Sequence, residues 1–270
     1  MNPEIVAEAN YDSGIRRQDF NVQVPGVYSS KLWRGYNGIT QLSRVKYIHL
    51  QLAKMYQLSE QRKAATDLYE KHKEQPSAEL LLMAGFFDPK DFSCDLDRLI
   101  KGDRSVNRNL TLGFAEHNFI SSNLISSIRR FLDVHLQILC VEKLGGRKEN
   151  GSLSIKYDSV GALLNPKVTK PEAHTARRYM WGSENLAGKS FEFIRLVDTL
   201  SNCMKHHFMQ EQAMNLFSVD EPSIVAFEAR NKDPRKVIYH NHFAWQIVAG
   251  FQQLVDQLAK SFEADFSHAS

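Results

Sequence analysis

Cysteine is scarce. Cys94, Cys140 and Cys203 are the whole complement, far apart and without a CxxC pair. That excludes a disulfide-stapled scaffold, and the three read as free thiols of a reducing compartment, buried as small apolar groups. Eight prolines and fourteen glycines are too few for a collagenous or low-complexity chain. No stretch approaches the roughly 18 uninterrupted apolar residues of a membrane span. The opening MNPEIVAEANYDSGIRRQDF lacks a basic region followed by an apolar one, so neither a signal peptide nor a membrane is expected, and the expected location is cytoplasmic. Charge of one sign is also missing. The net charge is +3, with 16 basic against 14 acidic residues through residue 110 and 18 against 17 after it. A nucleic-acid binder driven by net charge alone is disfavoured, while a local basic patch stays open. There is no GxGxxG, GxxxxGKS/T, HExxH, GxSxG or EF-hand loop, which disfavours Rossmann, P-loop, zincin and α/β-hydrolase chemistry.

What remains is an ordinary globular composition, 43% hydrophobic and 24% charged over 270 residues, enough for one large domain or two small ones. Residues 1–40 show no sustained period and read as an irregular arm packed through Tyr28, Leu32, Trp33 and Tyr36. From Ser43 to about Lys73, Val45, Ile48, Leu52, Met55 and Tyr56 recur at helical steps. Asp88-Pro89 reads as the start of a short helix closed by Gly102, and 103–109 as a boundary. Over 118–144, Leu124, Ile128, Phe131, Leu132, His135 and Leu139 form one stripe, stopped by Gly145-Gly146. Residues 147–171 interrupt the pattern as an irregular segment or small hairpin. A short helix is expected around 172–181, a long one from Ser183 to about Phe217, and a last one opened by Asp233-Pro234 and carrying Ala244, Ile247, Val248, Phe251, Leu254, Val255 and Leu258. The fold class expected is all-α: four to five bundled helices over 111–270, with an N-terminal arm and smaller helical region over 1–110.

Two constellations carry chemistry. Histidines concentrate at His206, His207, His240 and His242. His207 and Glu211 have metal-ligand spacing on a helix, whereas His240 and His242 share a face only in an extended segment, since a helix separates them by about 200°. The alternatives are surface or capping histidines and a helical metalloprotein. The second constellation is Arg235-Lys236-Val237-Ile238-Tyr239-His240, with Arg230-Asn231 just upstream. A capped helix start there would offer free N–H groups and a positive dipole end to an anion. Arginine grips phosphate in bidentate fashion, and histidine moves protons near neutrality. A solvated first helical turn is the plainer alternative. The string Arg130 to His135 has the same spacing inside a helix, where His135 lies on the apolar face.

The Arg-x4-His string near a late helix of a bundle resembles the HEPN superfamily, all-α ribonucleases and RNA-binding domains of prokaryotic defence and toxin systems. The resemblance covers about 111–270. Here Asn231 follows Arg230 rather than Arg235, a departure from the family pattern. The resemblance implies a metal-independent endoribonuclease with no cofactor, acting as a homodimer. His240 would be the general acid or base on the ribose 2′-OH, and Arg235 would stabilise charge on the phosphate. Arg230, Asn231, Lys236, Tyr239 and Asn241 would bind substrate. Arg177 and Arg178, interleaved with Tyr179 and Trp181, suit stacking on single-stranded RNA or form a solvated helix face. No metal ion is assigned. A non-catalytic helical module that binds a ligand or a regulatory protein is the alternative class.

Overall fold

The computed structural model describes residues 4–20, 38–72, 107–146, 148–152, 154–182, 186, 188–206, 221–229 and 236–266. The elements follow in the order β1 (Glu4–Ala7), α1 (Gly38–His72), α2 (Asn107–Lys143), α3 (Val160–Leu164), α4 (Pro171–Trp181), α5 (Lys189–His206), β2 (Ser223–Ala229), β3 (Lys236–Phe243) and α6 (Ala244–Phe266), with a 3-10 turn at Arg17–Asp19. The protein is mostly helical. The all-α expectation is corrected in one respect, because β1, β3 and β2 form a three-stranded mixed sheet in that order.

The helices form where the spacing of apolar residues predicts them. In α1, Val45, Ile48, Leu52 and Met55 are buried. In α2, all six residues of the expected stripe are buried, and Gly145 (φ 66°) ends the helix. The Gly146 N–H reaches back to the Cys140 carbonyl at 3.1 Å, which satisfies one of the carbonyls a helix end leaves open. Proline occupies the first turn of α4 and Gly182 (φ 76°) its C-cap. In α6 every residue of the expected face, from Ala244 to Leu258, is buried.

Several expectations change. Helix α2 begins at Asn107, inside the stretch read as a boundary. The 147–171 insertion turns back on itself through Lys148 N–H to Ser152 O (3.0 Å) and Ser154 N–H to Gly146 O (2.7 Å), then runs into α3. Helix α5 starts at Lys189 rather than Ser183. The short helix at 88–102 and residues Tyr28, Leu32, Trp33, Tyr36 and Phe208 lie outside the described residues.

The chain falls into two compact units, one of Met1–Asn10, Leu50–Leu124 and His206–Trp245, the other of Tyr11–His49, Ile125–Lys205 and Gln246–Ser270. The second unit is helical. Its buried residues include Ile128, Phe131, Phe193, Val197, Leu200, Phe251 and Leu254, with Phe131 and Phe251 edge to face at 5.2 Å. Ser13 ties the N-terminal segment to α6: its N–H donates to Gln246 Oε1 at 2.8 Å and its carbonyl accepts from Gln253 Nε2 at 3.0 Å. Arg129 bridges Asp133 and Asp198, and Asp133 also accepts the Val160 N–H that opens α3. The first unit holds the sheet, with Ile224, Val225, Ala226 and Val237 buried.

Candidate metal centre

Strand β3 is the middle strand of the sheet. Its segment, Lys-Val-Ile-Tyr-His-Asn-His-Phe, is rich in β-branched and aromatic residues, which favour a pleated, half-buried surface. The helix expected to begin at Asp233-Pro234 therefore starts only at Ala244, where the N–H bonds the Pro222 carbonyl at 2.8 Å. In an extended strand successive side chains alternate between faces. His240 and His242 accordingly share a face, with ring centroids 5.7 Å apart. Both are 1% exposed.

The neighbouring strands complete the cluster. Strand β1 pairs with β3 in parallel, Val6 with Ile238 and Ala7 with Tyr239. The Glu8 N–H then donates to the Tyr239 carbonyl at 2.9 Å, and this brings the Glu8 side chain to His240. Glu8 Oε2 lies 2.8 Å from His240 Nδ1, outside hydrogen-bond alignment. Strand β2 runs antiparallel to β3, with Ala226 opposite His240 and Glu228 opposite Ile238. The small Ala226 leaves room for Glu228 to reach across, and its Oε2 lies 3.2 Å from His240 Nε2 in hydrogen-bond alignment. Each imidazole nitrogen of His240 thus faces a carboxylate, Glu8 just past the end of β1 and Glu228 on β2.

Glu8, His240 and His242 each present one donor atom within 4.8 Å of the other two. Burial, followed by the proximity of His240, lowers the His242 pKa to about 4, so its ring is neutral at pH 7. Neutral imidazole is the form that ligates a metal. Two imidazole nitrogens and one carboxylate oxygen suit zinc or another first-row divalent ion, not calcium or magnesium, which prefer all-oxygen sets. The carboxylates give the cluster a route to solvent, with Glu8 43% and Glu228 36% exposed.

The other residues singled out in the sequence are placed differently. Tyr239 and Asn241 alternate with the histidines along β3, so they point to the opposite face. Tyr239 is half-buried against Phe227, ring centroids 5.3 Å apart, and burial raises its pKa. Lys236 is exposed at the start of β3, paired with Glu4. Arg230, Asn231 and Arg235 lie outside the described residues, as do His207 and Glu211. In the helical unit, Arg178 is exposed on α4. Arg177 is 3% exposed and turned inward, donating to the Leu163 carbonyl through Nε (3.0 Å) and Nη2 (2.9 Å) and to the Asn165 carbonyl at 2.9 Å. That corrects its reading as a solvated or RNA-stacking group. His135 is buried, stacked on Phe131 at 6.1 Å, and held to a pKa of about 3 by burial.

Sequence reasoning missed Glu8 and Glu228. The alternation of β3, bounded by a KDP turn signal, could have shown the strand. Nothing local marks Glu8, which reaches the site through a pairing 232 residues away in sequence (240 minus 8). Among the described residues no helix is long and apolar enough to cross a membrane. No protein-family model, curated protein or solved structure matches this chain.

Proposed function

We propose that this chain is a metalloprotein whose centre is a first-row divalent ion, zinc by preference, held by Glu8, His240 and His242 on one face of the sheet. The observation that carries it is the Glu8–His240 contact. A carboxylate oxygen and a ring nitrogen stand 2.8 Å apart with no aligned hydrogen between them, and His242 supplies a second imidazole alongside. Two lone pairs at that distance repel unless a cation relieves them. Three protein donors leave coordination positions open to a ligand from solution, as in catalytic rather than structural sites.

A second reading is favoured by the same histidine. His240 has a carboxylate at each ring nitrogen, the arrangement that orients an acid–base imidazole. On this reading the chain is a HEPN-like, metal-independent endoribonuclease that works as a homodimer, with His240 as general acid or base and Arg235 at the phosphate. One preparation separates the two. Purified protein is analysed for metal by plasma mass spectrometry and incubated with end-labelled RNA with and without EDTA. The metal reading expects about one first-row ion per chain. The ribonuclease reading expects RNA cleavage that survives EDTA and is lost in His240→Ala. Metal-free protein that cleaves RNA in EDTA would overturn the metal reading.

A further inference from the structure

We infer that Glu228 is the positioning residue of this centre: it holds the His240 imidazole in its Nε2-protonated tautomer and turns the Nδ1 lone pair toward Glu8. The inference rests on the metal reading above and adds to it a residue outside the donor set. A neutral imidazole carries one proton, and only the nitrogen without it can ligate. The two carboxylates compete for that proton. Glu228 meets Nε2 in hydrogen-bond alignment at 3.2 Å. Glu8 is nearer to its nitrogen, at 2.8 Å, but out of line with a ring N–H. Directionality therefore decides against distance, because a hydrogen bond weakens steeply off its axis. The proton goes to Nε2 and the free lone pair faces the donor cluster.

The fold favours the same assignment. Glu228 stands on β2, diagonal to His240, on the face that carries both histidines. Between them the opposing residue is only Ala226, so nothing larger displaces the carboxylate. Ligating histidines commonly donate their second N–H to a carboxylate, which fixes the ring and raises its basicity. Glu8 directly follows β1 and Glu228 stands on β2, so β3 is held from both sides by groups with different tasks: one donates to the ion, the other orients the donor.

The test uses the full chain in three forms: wild type, Glu228→Gln and Glu228→Ala. Long-range proton–nitrogen spectra of metal-free, 15N-histidine-labelled protein report the tautomer of His240 directly, with its signals assigned by His240→Gln. Zinc affinity is measured in parallel by competition with a chromogenic chelator. The expected result is an Nε2-protonated His240 in wild type, retained in Glu228→Gln, whose amide oxygen still accepts, and a mixed tautomer in Glu228→Ala. Zinc affinity falls about 10- to 100-fold in Glu228→Ala at unchanged stoichiometry, and Glu228→Gln recovers most of it. A merely structural role for Glu228 would leave His240 Nε2-protonated in Glu228→Ala. An Nδ1-protonated or doubly protonated ring in wild type overturns the inference, as does an unchanged spectrum and affinity in Glu228→Ala. Loss of stoichiometric zinc in Glu228→Ala would make Glu228 a ligand and overturn it too. Failure of wild type to bind zinc defeats the metal reading itself, whereas zinc bound beside the wrong tautomer defeats only this inference.

Discussion

Replacing Arg177 by alanine should cost the helical unit about 3–4 kcal/mol. Helix α3 ends at Leu164, and its last carbonyls have no partner within the helix. The buried guanidinium of Arg177 supplies one, with two donations to Leu163 O and one to Asn165 O, all at 2.9–3.0 Å. A hydrogen bond to a charged group contributes about 1.5–3 kcal/mol, and a buried acceptor left bare costs about 1–3 kcal/mol. The desolvation of an arginine paired only with neutral carbonyls offsets part of this, so the two acceptors do not add in full. Arg177→Lys should lose about 2 kcal/mol, since an ammonium cannot reproduce the planar fork. The exposed neighbour gives the control: Arg178→Ala should stay within about 0.5 kcal/mol. Urea unfolding followed by far-UV circular dichroism measures all three. A loss below about 1 kcal/mol for Arg177→Ala would mean that these bonds do not hold the end of α3 and would return the residue to the surface role read from its sequence. If RNA binds near α4, Arg178 and not Arg177 should then carry the effect.

Two further outcomes follow from the helical core. His135 takes a proton in the unfolded chain below pH 6.5 but not in the native state until about pH 3, because burial disfavours the charged ring. Its contribution is therefore fully present above pH 6.5 and is lost as pH falls from 6.5 toward 3, at about 1.4 kcal/mol per pH unit. In a pH series of urea midpoints, His135→Phe should flatten that slope, and an unchanged slope would contradict the assignment. Gly250 lies in α6 with Tyr11 and Phe193 so close that an added Cβ would meet them at 2.5 and 2.8 Å. Gly250→Ala should lower the thermal midpoint despite alanine's better helix propensity, because overpacking costs about 1–3 kcal/mol against about 1 kcal/mol gained. A raised midpoint would mean that the Tyr11 segment gives way freely.

The helices were legible because burial imposes a period of 3.6 on their sequence. The face of α6 from Ala244 to Leu258 is one case, and the α2 stripe closed by Gly145 is another. The sheet was not. Asp233-Pro234 is as good a helix opening as a turn, and the strong period after Ala244 invites extending the helix back through residues that pair as β3. That one substitution of strand for helix changes the site. It removes the helix start expected near His240, puts Tyr239 and Asn241 on the far face, and brings His240 and His242 to one side. The condition under which those two histidines meet was readable from their spacing, but the partner that completes them was not. Glu8 arrives through parallel pairing of a four-residue strand with another more than 200 residues away, and no local pattern encodes such a contact. Arg177 shows the converse limit. Its spacing beside Arg178 suggests a shared surface, while the open carbonyls at the end of α3 draw it inward.

If Glu8, His240 and His242 act together on one ion, each of them is needed for it to bind. Titration of metal-free protein with cobalt(II), followed in the visible spectrum and displaced by zinc, measures this. One site per chain is expected in wild type, with binding weakened by at least about 100-fold in each of Glu8→Ala, His240→Ala and His242→Ala while the far-UV spectrum is unchanged. Absence of a stoichiometric site in wild type, or a site that survives all three substitutions, would contradict it.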